Sequence, residues 1–170
     1  MATTAKTTRP AIRQSGTGPR VLWLGDTLME VLLDGAATGG QLSIVRAEGV
    51  GQDHGAPPHV HSREDEVFVV LEGTVTFVCG ETEATLGPGG ALFLPRGIPH
   101  AYRLATPRAT MLMLFTPGGL EGMFLEGGEP ASATTEPRPA AGPPPPAVIA
   151  ELMALSARYG CEVAAPGKPS

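Results

Sequence analysis

The chain has 170 residues, including 23 glycines and 18 prolines, a net charge of −5 and only two cysteines. That length can bury a real core, and it suits one domain with tails. There is no long run of Lys or Arg, so the basic footprint of a nucleic-acid binder is missing, and the apolar stretches fall far short of the roughly 20 residues that span a bilayer.

Residues 1–18 are rich in Thr, Ala and Gly, without periodicity, and read as a flexible arm, with an edge strand in a dimer as the alternative. Met1 to Arg20 has no apolar core of a signal peptide, so no secretory signal is expected. Cys79 and Cys161 are isolated from each other and from any Cys-x-x-Cys partner. They are expected to be reduced, small apolar residues in a cytoplasmic protein.

Short β-prone runs follow one another from Val21 onward. Val21–Leu24 is closed by Gly25-Asp26, Thr27–Leu33 by Asp34-Gly35, and Gln41–Glu48 starts after Gly39-Gly40. A Gly- and Pro-rich loop, Gly49–Pro58, leads into a short strand at His59–His61. Glu66–Leu71 and Thr74–Cys79 flank the hairpin signal Glu72-Gly73. Thr82–Leu86, Ala91–Leu94, His100–Leu104 and Thr110–Phe115 complete roughly ten strands with no long helix among them, which predicts an all-β barrel or jelly roll. Pro117–Phe124 reads as a turn into a short helix. Residues 129–146 are a Pro-rich linker, expected to be extended. Ala147–Tyr159 carries Val148, Leu152 and Leu155 at helical spacing, with Gly160 as its C-cap. This helix is expected to cover the barrel.

Three of the four histidines fall in one pattern: His59-Val60-His61, then Glu66, then His100. Residues i and i+2 of a strand share a face, so His59 and His61 aim two imidazoles at one point. Glu66 adds a carboxylate oxygen and His100 a third ring nitrogen. Three His and one carboxylate suit a divalent first-row metal, and an octahedral ion keeps positions open for water, substrate or O₂. Neighbouring Glu64 and Asp65 read as solvated turn carboxylates that could alternatively orient a histidine. His54 reads as an exposed loop histidine, with an acid–base role as the lesser alternative. Phe68, Val70, Phe77, Tyr102, Met111 and Met113 are candidates for an apolar pocket lining, and Glu48 for a pocket carboxylate that takes a substrate proton.

The spacing sharpens this. His59-x-His61 is followed by four residues, Glu66, six residues and Gly73; Gly89 is followed by five residues, Pro95-Arg96-Gly97, two residues and His100. This resembles the two-motif signature of the cupin superfamily over roughly residues 40–115. Two positions depart from it: Asp53 stands where the family places a glycine, and Leu104 where it often has asparagine. The resemblance implies a double-stranded β-helix (a cupin jelly-roll barrel) over 19–128, between the arm and the linker, with a helix and tail over 147–170. It also implies one divalent transition metal (Fe, Mn, Ni, Co, Cu or Zn) on His59, His61, Glu66 and His100, and a homodimer. Pro95–Tyr102, the Phe115–Gly119 exit followed by Met123-Phe124, and the Tyr159-Gly160 helix end further resemble small single-barrel proteins related to quercetin dioxygenase. That likeness implies a metal-dependent dioxygenase that presents an enolic or aromatic small molecule to O₂, with Glu66 as the proton acceptor. The alternatives are a metal-dependent cyclase, isomerase or lyase, and a non-catalytic cupin that binds a small ligand.

Overall fold

The computed structural model describes residues 10–140 and 142–164; the expectations for residues 1–9 and 165–170 lie outside the described residues. In chain order the strands are β1 (Arg20–Trp23), β2 (Thr27–Leu33), β3 (Ser43–Val50), β4 (Gly55–His61), β5 (Asp65–Glu72), β6 (Val75–Cys79), β7 (Thr82–Leu86), β8 (Ala91–Leu94), β9 (His100–Leu104) and β10 (Arg108–Thr116). Helix α1 (Glu121–Gly127), a two-residue β11 (Glu129–Pro130), helix α2 (Pro146–Arg158) and β12 (Cys161–Val163) follow. They form a seven-stranded sheet, β11-β1-β2-β3-β10-β5-β8, and a five-stranded sheet, β12-β4-β9-β6-β7, with antiparallel pairing throughout. This is the jelly-roll barrel that the strand spacing predicts.

Period-two patterning sets the faces. Along β3, Ser43, Val45 and Ala47 are buried while Ile44, Arg46 and Glu48 are less so. Along β5 the buried row runs Glu66, Phe68, Val70. One inward row thus carries a carboxylate at its start and core apolar groups beyond it. Val31, Val45, Phe77, Leu94, Leu104 and Phe115 fill the space between the sheets with the β5 residues. Burial of such side chains contributes about 1.5–3 kcal/mol each.

Four strands, at Thr27–Leu33, Thr82–Leu86, Ala91–Leu94 and His100–Leu104, run over the stretches expected. The loop expected over Gly49–Pro58 is shorter, because β3 runs on to Val50 and β4 starts at Gly55. Gly55 is needed there: a Cβ would sit 2.0 Å from the Tyr102 carbonyl oxygen of β9. The described part of the arm packs on its own barrel. Gly16 and Gly18 donate backbone N–H groups to buried Glu30 at 2.5 and 3.2 Å, and Arg13 Nε donates to the Leu32 carbonyl at 3.0 Å. Within the expected linker, β11 pairs with β1. After α2, Gly160 takes φ +78°, and the chain returns as β12 along β4, with Cys161 opposite His61 and Val163 opposite His59. No helix among the described residues is long and apolar enough to cross a membrane.

Candidate metal centre

β4 delivers His59 and His61, β5 delivers Glu66, and β9 opens with His100. β4 and β9 pair with His59 opposite His100, and a register shift between Ala56 and His59 turns the end of β4. One ligand-type atom from each of the four residues lies within 4.8 Å of all the others. Atoms bound about 2.1 Å from a common centre stand no more than roughly 4.2 Å apart. The group therefore closes on an ion by shifts of a few tenths of an ångström.

Two of the three rings are held from behind. His59 donates Nδ1–H to the Pro57 carbonyl at 2.8 Å, and His100 donates Nδ1–H to the Ile98 carbonyl at 3.0 Å. In the neutral ring this leaves Nε2 as the bare nitrogen on each. The His61 and His100 rings lie parallel, 3° apart, with centroids 5.1 Å apart. Glu66 Oε2 sits 3.2 Å from His100 Nε2 and 3.6 Å from His61 Nε2.

Burial removes water from this group without replacing its hydrogen bonds. Glu66 is 1% exposed, and His61 and His100 are buried. Both His61 ring nitrogens, His100 Nε2 and Glu66 Oε2 have no hydrogen-bond partner. Such orphaned groups are rare in native proteins, because each carries its full desolvation cost. Desolvation, with the neighbouring rings adding to it, pulls His59 down to about 4 and His61 to about 3. It pushes the Glu66 carboxyl above its ordinary range. The two histidines are therefore neutral at pH 7, the form a metal needs. Two neutral imidazoles, the partnerless Nε2 of His100 and a buried carboxyl fit a cation.

The surrounding carboxylates differ from the sequence expectation. Glu64 is 5% exposed, and its Oε2 stands 4.0 Å from His61 Nδ1, on the side away from Glu66. It is no solvated turn group. Asp65 is more exposed and grips Arg96: Arg96 donates its backbone N–H and Nε–H to Oδ1 at 2.9 and 3.0 Å and Nη2–H to Oδ2 at 2.8 Å. Gly97, at φ +77°, donates its N–H to the His61 carbonyl at 2.8 Å. The Pro95-Arg96-Gly97 turn that precedes His100 is thereby tied both to the strand of Glu66 and to that of His61.

Three members of the cluster, His59, His61 and Glu66, line a cavity of about 400 Å³. Phe68, Met113 and Tyr102 line it, as do Trp23, Phe115 and Phe124. Val70, Phe77 and Met111 do not. They share inward faces with the lining residues but sit deeper in the barrel, fully packed in the core. Glu48 points elsewhere and pairs with Arg108 and, at 3.5 Å, with Arg46. Those four are corrections to the expected lining. Tyr102 is partly buried, and its pKa is pushed up by desolvation and by the charges of Glu66 and Asp26.

His54 also lines the cavity, and its Nε2 is 3.0 Å from Oδ1 of Asp26. It is half-buried rather than an exposed loop histidine. Asp26 had no sequence signal beyond its place in a Gly-Asp turn. The other side of the cavity is closed by α2, through Ile149, Leu152, Met153 and Ser156, with Pro144 ahead of them. That i, i+3, i+4, i+7 stripe is legible as an apolar face, but nothing in it says that it faces a cavity.

Comparison with known proteins agrees with this architecture. Residues 49–117 match the cupin domain family. The chain is 28% identical over 128 residues to quercetin 2,3-dioxygenase of Bacillus subtilis (strain 168), which covers 75% of this chain and 37% of that protein. It is 25% identical over 133 residues to quercetin 2,3-dioxygenase of Aspergillus japonicus, covering 75% of this chain and 38% of that protein. The chain thus spans well under half the length of these curated relatives. KdgF from Halomonas sp. superposes with a TM-score of 0.60 at 17% identity, over 67% of this chain and 99% of KdgF.

Proposed function

We propose that this chain, whose residues 49–117 match the cupin domain family, is a metal-dependent oxygenase acting on a small, largely apolar molecule with an enolic or phenolic oxygen. The observation that carries the proposal is the set of partnerless atoms on His61, Glu66 and His100, beside an apolar cavity that His61 and Glu66 line. The likeness to two quercetin 2,3-dioxygenases supports the choice of substrate class and of O₂ as co-substrate.

His59, His61 and His100 would hold the ion through ring nitrogens, and Glu66 through a carboxylate oxygen. A bound divalent transition metal supplies Lewis acidity toward a substrate oxygen and, where the ion is redox-active, electrons for O₂ chemistry. The protein's own groups do the rest. Phe68, Phe115 and Trp23 give flat apolar walls that orient a planar ring. Ile149, Leu152 and Met153 of α2 exclude water from it. Glu66, whose burial already favours the protonated form, accepts the substrate hydroxyl proton at Oε2. Glu64 faces the back of His61 and places a carboxylate 4.0 Å from Nδ1, adding negative charge behind the ring.

Oxygen uptake by protein reconstituted separately with Fe, Mn, Co, Ni, Cu and Zn, with a flavonol as substrate, tests this reading. Flavonol-dependent consumption with a redox-active ion is the expected result. A flavonol bound without O₂ loss under every metal would reassign the site to Lewis-acid cyclase, isomerase or lyase chemistry, or to ligand binding alone.

A further inference from the structure

We propose that His54 and Asp26 form a second proton-transfer centre in the same cavity, separate from the metal cluster, in which His54 Nδ1 exchanges a proton with the bound molecule. The inference rests on the preceding reading only in taking the cavity as a substrate site.

Asp26 is 1% exposed, in the turn between β1 and β2, and His54 reaches it from the loop between β3 and β4. Oδ1 of Asp26 lies 3.0 Å from His54 Nε2 and also accepts the Thr27 hydroxyl at 3.0 Å. An Nε2–H that donates to a carboxylate leaves Nδ1 as the free nitrogen: an acceptor in the neutral ring and a donor in the cation. The backbone around it is fixed. His54 N–H donates to the Gly51 carbonyl at 3.1 Å, and the His54 carbonyl accepts from Leu104 N–H at 2.7 Å. Asp53, where the cupin pattern has glycine, holds a left-handed φ of +62° just before it, a conformation that Asp tolerates better than most side chains.

The arrangement has the parts of a base oriented by a buried carboxylate. The Asp26 hydrogen bond holds the imidazole above its ordinary pKa against the opposing effect of burial, which strengthens it as a base. The other charged groups around His54 are Asp53 and Arg103, which pair at 3.4 Å on the outer side of the loop and line a groove that His54 also touches. The step balances simply: Nδ1 takes a proton from a substrate O–H or acidic C–H, the bond's electron pair stays on the substrate as an enolate or phenolate, and the imidazolium is held by Asp26.

The test uses 5-nitrobenzisoxazole, a small aromatic probe whose ring opens when a base removes its C–H proton. It is measured with the metal removed and again with zinc bound, so the result does not depend on O₂ or on redox chemistry. The wild-type protein is expected to accelerate the opening, and His54→Gln to lose at least fivefold of that acceleration in both states. Zinc stoichiometry and melting temperature report whether His54→Gln is folded. Asp26→Asn, which keeps His54 but removes the charge behind it, is expected to move the midpoint of the pH–rate profile to lower pH, because Asp26 raises the imidazole pKa. No acceleration by wild type, or a His54→Gln rate within twofold of it, overturns the proposal. An absence of flavonol-dependent O₂ uptake alongside a His54-dependent opening would instead leave this centre standing and reject the oxygenase reading.

Discussion

The cavity has two unlike sides. The metal side is built from three strands, β4, β5 and β9, whose side chains are fixed by ladder register and by the Asp65–Arg96 clamp. The opposite side is built by α2, thirteen residues reached through a Pro-rich stretch and anchored mainly by Leu155. Leu155 and Trp23 both close on Gly127, where an added Cβ would stand 2.4 Å from the Leu155 side chain. β12 joins the two sides, running from the end of α2 along the histidine strand. The contrast separates chemistry from access. The strands place reacting groups to within tenths of an ångström, whereas the helix sets what enters and how dry the cavity stays.

Breaking the strand side has the largest effect. His61→Ala should leave purified protein with a small fraction of its metal by elemental analysis; full retention would remove His61 from the ligand set. The wild-type protein should in turn melt higher with metal than after chelation. Binding at a free metal concentration 100 times Kd stabilises by about 2.7 kcal/mol, or several degrees for a domain of this size. Both effects belong to the cluster and should be the same with α2 perturbed.

Glu66→Gln comes next. The amide keeps a ligand oxygen, so much of the metal should stay. It cannot take a proton, so flavonol turnover should fall by about 10² or more. An unchanged rate with a full complement of metal would leave Glu66 as a ligand only.

The helix side is probed by Leu155→Ala. Buried Leu→Ala changes cost about 2–5 kcal/mol, and α2 lies against the surface with much of its length exposed, so a loss near the lower figure is expected. Flavonol affinity should weaken and proteolysis within residues 131–146 should quicken, with metal stoichiometry unaltered. Loss of metal in this variant would show that β12 transmits the helix position to His59 and His61, and the two sides would then be one unit.

The same contrast explains what could be read from residues alone. The four ligand-type residues were legible because strand period and the Pro-x-Gly turn convert sequence spacing directly into direction. Thr27–Leu33 and His100–Leu104 were legible for the same reason, each being a short β-prone run bounded by turn residues. Depth was not. Phe68 and Val70 share a face of β5, yet one lines the cavity and the other lies in the core, because that choice depends on how far the two sheets diverge at each level. β12 escaped notice because three residues, Cys161-Glu162-Val163, carry no period of their own. Its pairing comes from the turn at Gly160, whose carbonyl accepts the Ser62 N–H at 2.8 Å and so docks the strand on β4. Asp26 looked like any turn aspartate until the fold brought His54 to it.

The smallest effect tests whether the strand side owes its accuracy to the clamp. Arg96 holds the Asp65 carboxyl well below its ordinary range, at about 2. A depressed carboxyl contributes stability that is fully present above its unfolded pKa, near 4, and is lost as pH falls through the folded value near 2. Asp65→Asn removes that contribution at every pH. The stability gap between wild type and Asp65→Asn should therefore be constant from neutral pH down to about 4, shrink from there, and vanish near pH 2. The pair is partly exposed, so the gap should be small and reduced by salt. Metal affinity is the more sensitive readout, because the clamp orients the turn before His100. Loss of such a supporting contact costs roughly tenfold in affinity, measurable by competition with a chelator at pH 7. An affinity equal to wild type would mean that the Gly97 bond to the His61 carbonyl and the β4–β9 ladder suffice to aim His100 without Arg96.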